Sequence, residues 1–325
     1  GDARKLLLNE INEMREAISS GTDTQKEEAS IEIMSKAFSK MSDEVGTLID
    51  ARTHDLVVAK DEINSSIRYA AKLQNALLPR MFPGDIDINV EWKPRDLVGG
   101  DIYFIKDLPD RVYIAVVDCT GHGVPGAFLS IIARSHLDKA ITPDDYQSAG
   151  SYLSKVHELL KDTLNRADQK NTSEEGFDGG VCIYYRNERR LEFAGAKASI
   201  FQVKADGATE SSGDRKSVGS TRMKEGFEYT TSVIHDSNGA FVMLTDGITD
   251  VMSAEERPIA FGRRRVLKLL QQATDQSPKS IVQSIMKSVD LYRDGAPFRD
   301  DLTLLAFSLN DEISNRDAQV VEDKV

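Results

Sequence analysis

The sequence predicts an α+β fold built of packed sheets and helices, preceded by a long helical segment. Beyond about residue 84, short β-like runs occur in clusters and helical runs occur in pairs, which is typical of layered α+β folds and not of alternating βαβ units. Before residue 79 the chain contains no proline, and its apolar residues repeat with helical spacing. We therefore predict a helical dimerisation and regulatory segment over residues 1–80, a folded domain over residues 84–310 and a charged flexible tail over residues 311–325.

The composition of the 325-residue chain excludes several classes of protein. Because 41 Lys and Arg residues stand against 53 Asp and Glu residues, the net charge of −12 argues against a protein that coats nucleic acid or an anionic membrane. The two cysteines, Cys119 and Cys182, form no CxxC pair, so any metal must be bound through oxygen or imidazole ligands. No stretch is apolar enough to span a membrane. We expect a cytoplasmic protein, attached to a membrane only if the parent chain carries an upstream anchor.

The N-terminal segment is predicted to form two helices, over residues 7–18 and from about residue 26 to residue 78, separated by a polar break. The second helix carries apolar residues three and four apart, as in the seam of a coiled coil or a helical bundle; they are Ile31, Met34, Phe38, Met41, Val45 and Leu48. From Ile49 to Leu77 the seam changes phase, as in a stutter. We expect a homodimer through these helices. The segment is either a dimerisation stalk or a signalling helix, and Pro79 and Pro83 end it.

The folded domain is predicted to contain nine strands and four helices. The strands are expected over residues 86–92, 102–105, 112–117, 180–185, 191–194, 199–203, 229–234, 240–245 and 302–308. The helices are expected over residues 124–140, 145–166, 263–272 and 279–292. The helix over residues 145–166 has a broad apolar face, and we expect this helix and the preceding one to cover a sheet.

Acidic residues stand at the ends of apolar strands. They are Asp101 in VGGDIYF, Asp118 in YIAVVDCTGHG, Asp246 in AFVMLTDGITD, and Asp300 with Asp301 in FRDDLTLLAF. Any one of them could be a turn or a helix cap. Converging carboxylates, however, repel one another unless a cation neutralises them, and their hard oxygens suit Mg²⁺ or Mn²⁺. Together they predict a binuclear metal site that hydrolyses a phosphoester with water as the nucleophile.

The order of these motifs resembles a known family. GGDIY, VVDCTGHGVPGAFLS, LTDGITD and RDDLTLLAF, together with LEFAGAKAS, FGRRR and IRYAAKLQNALLP, are similar to the SpoIIE/RsbU branch of the metal-dependent type-2C (PPM) protein phosphatases. The resemblance extends over about residues 85–309. It implies an αββα sandwich with two Mn²⁺ or Mg²⁺ ions at one end of the sheets. It also implies hydrolysis of phosphoserine or phosphothreonine on a protein through a metal-bound hydroxide.

The resemblance assigns roles to individual residues. It implies that Asp101, Asp118, Asp246 and Asp300 are metal ligands, and that the backbone carbonyl of Cys119 is an additional ligand. Asp301 is the less favoured member of the DD pair.

Two further residues are open to two interpretations. Asp178 is either part of a weaker third cation site or a turn at the entry to a strand. Arg95 either binds the substrate phosphate through a forked contact or is a solvated surface residue.

The chain departs from the eukaryotic relatives beside the second aspartate. Where those proteins have a histidine two residues later, this chain has Thr120, and His122 follows two residues further on. His122 is either a loop residue under the following helix or a proton donor to the leaving group.

Other functions fit the sequence less well. GGDIY is similar to the GGDEF signature of nucleotide cyclases, but Ile102 and Tyr103 replace its Glu and Phe. No GxxxxGK[ST] phosphate loop is present. The remaining alternative is a catalytically weak dimeric module that binds a partner. The resemblance implies bacterial signalling, in which the substrate is a phosphorylated anti-anti-sigma or STAS-like regulator and a protein kinase opposes the phosphatase.

Overall fold

A computed structural model describes residue 12 and residues 23–142, 146–167, 175–221, 223, 226–236 and 238–309. The chain divides into two compact units, residues 1–66 and residues 67–325. Apart from Asn12, the predicted helix over residues 7–18 lies outside the described residues, as does the predicted tail over residues 311–325.

Helix α1 (Asp23–Leu77) confirms the longer of the two predicted N-terminal helices. It ends two residues before Pro79, which lacks the N–H that would continue the helical hydrogen bonds. In the first unit, the apolar residues of the predicted seam are exposed to solvent in the single chain. The exposed fraction is 64% for Ile31 and 68% for Phe38. None of the described helices combines the length and the apolar character of a membrane span.

The second unit contains two five-stranded antiparallel sheets. The first sheet has the order β1-β10-β9-β6-β7, and its strands are β1 (Ile86–Lys93), β10 (Leu302–Leu309), β9 (Ala240–Leu244), β6 (Ser199–Lys204) and β7 (Gly207–Ser212). The second has the order β2-β3-β4-β5-β8, and its strands are β2 (Asp101–Asp107), β3 (Arg111–Cys119), β4 (Phe177–Tyr185), β5 (Arg190–Ala196) and β8 (Ser232–Ile234).

Helices cover the outer face of each sheet, so the four-layer αββα sandwich is confirmed. Helices α2 (Gly123–Lys139) and α3 (Ala149–Ala167) pack on the second sheet, while α5 (Gly262–Gln271) and α6 (Pro278–Arg293) pack on the first. A single turn, α4 (Asp246–Thr249), follows β9.

The core lies in three layers that explain the apolar strands. One cluster fills the space between the sheets and includes Ile114, Phe193, Phe241 and Phe307, with Phe241 stacked on Phe307. The other two clusters lie under the helices on either side. Because both faces of the central strands are covered, these strands are continuous apolar runs; in β3 every residue except Asp118 is buried.

The differences between prediction and structure include two element boundaries and one missed strand. Helix α3 begins at Ala149 and not near residue 145. The strand predicted over residues 229–234 is limited to β8, because the N–H of Tyr229 donates to Ser154 Oγ and that of Thr230 donates to the Asp214 carboxylate. Strand β7 was not predicted, since its sequence GATESS is polar and forms an edge of the first sheet.

Candidate metal and phosphate site

Three aspartates lie in a row across neighbouring strands of the second sheet. Asp101 at the start of β2 is directly opposite Asp118 near the end of β3, and Asp118 is directly opposite Asp178 of β4. Residues opposite one another in an antiparallel pair have adjacent side chains. The sheet therefore places three carboxyl groups at one end of the sandwich.

Asp101 is the most deeply buried of these residues, with 1% of its surface exposed. Its Oδ2 accepts hydrogen bonds from the hydroxyls of Thr245 (2.7 Å) and Thr303 (2.8 Å). Thr245 directly follows β9 and Thr303 lies in β10, so both belong to the first sheet's side of the site. Its Oδ1 is buried and has no hydrogen-bond partner among the described residues. The pKa of Asp101 is raised to about 7. Burial is the largest cause, the hydrogen bonds from the two hydroxyls act against it, and the nearby Asp301 and Asp246 carboxyls add to it.

Asp118 and Asp246 bring the two sheets together at the site. Asp246 begins α4 directly after β9, and its carboxyl lies within hydrogen-bonding reach of that of Asp118. Burial, followed by the proximity of Asp101 and Asp246, raises the pKa of Asp118 to about 10. Burial also raises the pKa of Asp246. Each carboxyl therefore resists ionisation while its neighbours are charged, which is the electrostatic condition that a bound cation relieves.

The two aspartates of the DD pair have different environments. Asp300 is exposed and lines the same cleft as Asp118. Asp301 is buried, and its carboxylate accepts hydrogen bonds from the backbone N–H groups of Arg95 (2.7 Å) and Gly100 (2.6 Å). Of the two aspartates, Asp300 is therefore the one that is available to a ligand. Asp301 holds the backbone beside Asp101 through its two hydrogen bonds.

Close backbone packing surrounds the site. A Cβ atom at Gly100 would lie 2.6 Å from the Gly121 carbonyl oxygen and 2.7 Å from that of Cys119, so only glycine fits there. Gly121 itself has a φ of 91°. The Cys119 carbonyl therefore lies beside the loop that precedes Asp101. The thiol of Cys119 is fully buried, which raises its pKa well above the usual range and makes it unreactive.

Arg95 and His122 contact each other at the rim of the site. The guanidinium of Arg95 hydrogen-bonds to the Asp96 carboxylate (2.9 Å), to the Arg299 carbonyl (3.1 Å) and to Nδ1 of His122. The predicted phosphate-binding group therefore has partners within the protein. Thr120, at the position of the eukaryotic histidine, donates its hydroxyl to the Gly176 carbonyl and so has a structural contact.

The carboxylates open into a cleft of about 540 Å³. Its lining includes Asp118, Asp178 and Asp300 together with the cations Lys197, Arg215 and Lys216. The Nζ of Lys197 lies 3.3 Å from Oδ2 of Asp178, and Oδ1 of Asp178 is buried with no partner among the described residues.

Sequence reasoning missed three polar residues that hold Asp101 and its loop. Thr245 and Thr303 bond Asp101, and Gln74 of α1, which is 1% exposed, bonds the Gly99 carbonyl (2.6 Å), the Gly99 N–H (3.2 Å) and Ser130 Oγ (3.0 Å). The available signal was position: Thr245 immediately precedes Asp246, and Thr303 follows the DD pair.

The donor set fits a hard divalent cation. Its chemistry is that of carboxylate and carbonyl oxygens, it contains an orphaned buried oxygen at Asp101, and its carboxyls repel one another. Among the described residues, no group of three or more His, Cys, Asp or Glu side chains is arranged closely enough to hold a metal ion. Of the described carboxyls, those of Asp118 and Asp300 are thus among the ones that line the cleft, and the set does not form a closed cage.

An αββα sandwich with aspartates from both sheets at one end defines a phosphatase domain of the PP2C type. The chain belongs to the family described as Stage II sporulation protein E (SpoIIE), whose model matches residues 109–310.

Individual relatives agree with this assignment. The chain is similar to the phosphoserine phosphatase RsbU of Bacillus subtilis (strain 168), with 25% identity over 260 residues that cover 76% of this chain and 70% of the relative. Its fold is similar to the SiaA-PP2C domain of Pseudomonas aeruginosa, with 29% identity, coverage of 77% of this chain and 98% of that domain, and a TM-score of 0.67. It is also similar to the PP2C phosphatase domain of SpoIIE from Bacillus subtilis with a fragment of its regulatory domain. The identity to that structure is 16%, the similarity covers 69% of this chain and 63% of that chain, and the TM-score is 0.57. The fold and the phosphatase class expected from the sequence are confirmed.

Proposed function

We propose that this chain hydrolyses phosphoserine or phosphothreonine on a bacterial signalling protein with the help of two Mn²⁺ or Mg²⁺ ions. The observation that carries this proposal is the convergence of Asp101 and Asp118 from the second sheet with Asp246 and Asp300 from the first. Such ions, when bound, neutralise the carboxylates and activate water for attack on phosphorus.

The proposed ligands are Asp101, Asp118, Asp246 and Asp300, with the Cys119 carbonyl as a further oxygen donor. Within this set the chain's own contacts orient the oxygens. The hydroxyls of Thr245 and Thr303 fix Oδ2 of Asp101 and leave Oδ1 as the free donor. Asp301 has its carboxylate engaged by two backbone N–H groups, and Asp178 lies one strand further from Asp101.

The experiment that tests this proposal is hydrolysis of an aryl phosphate by the full chain with Mn²⁺, with Mg²⁺ or with a chelator. We expect turnover that requires a divalent ion and is lost in Asp246→Asn. Asp87→Asn is the matched control, because Asp87 is an exposed aspartate of β1. Turnover that survives Asp246→Asn, or that persists in chelator, would contradict the binuclear site. Absence of turnover in a folded wild type would favour the alternative, a phosphatase-like module that binds a partner.

The protein partners are part of the same proposal. The relative RsbU is named a phosphoserine phosphatase, which supports a phosphoserine substrate. We propose further that this substrate is a phosphorylated regulator of the anti-anti-sigma or STAS-like kind and that a protein kinase opposes the phosphatase. Phosphorylated candidate regulators, incubated with wild type and Asp246→Asn, would show whether the phosphate is released from a protein.

Homodimerisation through α1 is proposed from the first unit alone. Its exposed apolar seam, which includes Met34 and Phe38, is a surface that a second copy of the helix would cover. We expect a dimer by light scattering, and a monomer for the double substitution Met34→Glu and Phe38→Glu.

Residues 67–78, which belong to the second unit, are proposed to set the activity of the site. Gln74 in this segment holds the loop that leads to Asp101. A charged residue at Ala70 or Leu77 should therefore change turnover without removing a proposed ligand. Unchanged rates in an intact dimer would count against this coupling.

A further inference from the structure

Three cations line the cleft in which Asp118 and Asp300 lie. They are Lys197, Arg215 and Lys216, and they come from the turn after β5 and from the loop after β7. We refer to these three residues as the cationic lip. These three cations stand beside the acidic groups of the cleft in a chain whose net charge is −12.

The loop that carries Arg215 and Lys216 is fixed at its start. The N–H of Gly213 donates to the Ala198 carbonyl (2.9 Å), and the N–H of Asp214 donates to the Gly195 carbonyl (2.8 Å). The N–H of Lys197 donates in turn to the Asp214 carbonyl (2.6 Å). The two segments that carry the cationic lip are thus joined directly through their backbones.

The same loop is fixed at its end. Val218 exchanges two backbone hydrogen bonds with Phe177, and the N–H of Gly219 donates to Nδ1 of the buried His157 (3.0 Å). The hydroxyl of Tyr229 donates to the Lys216 carbonyl (3.3 Å). A loop held at both ends presents its side chains without paying a large ordering cost when a ligand binds.

The side chains of Arg215 and Lys216 are exposed, and in the part of the chain that the structure describes neither forms an ion pair or a side-chain hydrogen bond. Some other cations of the chain are held in ion pairs, for example Lys204 with Asp236 and Lys106 with Asp138. Arg215 and Lys216 therefore remain available to an anionic ligand in the cleft.

Lys197 stands in a backbone conformation that is unfavourable for a lysine. Its φ is 51°, in the left-handed region that favours glycine or asparagine. Strained residues persist where the surrounding structure holds them, and they concentrate at functional sites. The side chain of Lys197 lies at the cleft wall, where its Nζ is 3.3 Å from Oδ2 of Asp178.

We propose that the cationic lip binds acidic side chains that flank the phosphorylated residue of the substrate protein, so that this phosphatase prefers phosphorylated segments with acidic neighbours. The inference rests on the proposed function and adds the substrate class. A cleft of about 540 Å³ lies within the range of about 300–1,000 Å³ that accommodates ligands much larger than a phosphate group, so flanking residues can enter it. Charge complementarity of this kind sets specificity and the rate of encounter.

The test compares two phosphoserine peptides that differ only in carrying Glu or Gln at the flanking positions, with an aryl phosphate as the substrate that lacks flanks. For the full chain we expect about tenfold higher kcat/KM for the acidic peptide, mainly through KM, and a preference that weakens at high salt. The double substitution Arg215→Gln and Lys216→Gln should abolish the preference and leave aryl phosphate turnover unchanged. The matched control is Lys279→Gln with Lys287→Gln, which removes two exposed cations from α6.

Each outcome decides the proposal. A wild type without preference, or a double variant that keeps it, would overturn the cationic lip while leaving the phosphatase intact. An equal loss of turnover on the aryl phosphate would mean that the lip binds the substrate's own phosphate, and this result would also overturn the proposal.

If the wild type hydrolyses none of the substrates, the proposed function fails. Fluorescence anisotropy of the labelled peptides then tests binding by the cationic lip separately. Binding that favours the acidic peptide and is lost in the double variant supports it, and equal binding refutes it.

Discussion

Asp101 and Asp118 stand directly opposite each other on adjacent antiparallel strands, with both carboxyls shielded from solvent. Like charges at directly opposed positions destabilise a sheet, so this pair is a cost to the fold that a cation would offset.

The first prediction concerns that cost. In chelator at neutral pH, Asp118→Asn should stabilise the protein by about 1 kcal/mol, or about 2–4 °C in Tm, because it removes one of two opposed carboxyls. The same substitution should lower metal-dependent turnover by more than about 100-fold, since loss of a ligand exceeds the usual effect of losing a ligand's supporting contact. Thermal unfolding with and without Mn²⁺ measures the first effect. A variant that is both less stable in chelator and still active would contradict the assignment of Asp118.

The second prediction concerns the hydroxyl that supports Asp101. Thr303→Val keeps the shape of a fully buried side chain but removes the 2.8 Å bond to Oδ2. Losing this contact should weaken Mn²⁺ activation by about 10- to 100-fold, with kcat at saturating Mn²⁺ changed much less. Titration of activity against Mn²⁺ measures it. The control is Thr163→Val, because Thr163 is a half-buried threonine whose hydroxyl bonds the Leu159 carbonyl and His136. Equal Mn²⁺ requirements in both variants would show that Thr303 has no role at the site.

The third prediction separates the two aspartates of the DD pair. Asp300→Asn should abolish turnover with a stability change within about 0.5 kcal/mol, because Asp300 is exposed. Asp301→Asn should destabilise the fold by about 1–3 kcal/mol, because an amide cannot accept both backbone N–H groups as the carboxylate does. Urea unfolding and turnover of both purified variants make the comparison. The reverse pattern would make Asp301 the ligand.

Much of the fold is readable in the sequence for a physical reason. Strands such as β3 and β10 are buried on both faces, so they appear as uninterrupted apolar runs. Aspartates at the ends of such runs are conspicuous, which is why Asp101 and Asp118 could be chosen before the structure was known. Strand β7 was missed because a polar edge strand resembles a loop.

The missed parts of the site depend on long-range contacts that have no local signature. Thr303 is a β-branched residue in a strand, where threonine is favoured in any case. Gln74 has the appearance of an ordinary polar position on a helix, and only its burial against Gly99 gives it a role. Arg215 likewise has the appearance of a solvated charge in a loop until the fold places it at the cleft.

The fourth prediction concerns Gln74. Gln74→Leu keeps most of the volume but leaves the N–H and the carbonyl of Gly99 without their partner, each in a buried setting. We expect a loss of about 1–3 kcal/mol for such unsatisfied groups and reduced turnover, because the loop between Gly99 and Asp101 is no longer held. Asn75→Leu is the matched control, since Asn75 is exposed and bonds within its own helix. Urea unfolding measures the difference, and equal stability of the two variants would contradict it.

The fifth prediction is a pH dependence that arises from His157. Burial, with a smaller contribution from Lys161 and against that of Glu158, lowers the pKa of His157 to about 4 from its usual 6.5. Between these two pKa values the unfolded chain binds a proton that the folded protein excludes. The contribution of His157 to stability is therefore complete above about pH 6.5 and is lost as the pH falls toward 4.

The substitution His157→Gln tests this, because the amide oxygen can still accept a hydrogen bond from the N–H of Gly219 but does not titrate. We therefore expect Tm to fall less steeply between pH 6.5 and pH 4.5 in His157→Gln than in wild type. His54→Gln, at an exposed position of α1, should follow the wild type. Parallel Tm curves for wild type and His157→Gln would show that His157 is protonated in the folded protein as readily as in the unfolded chain.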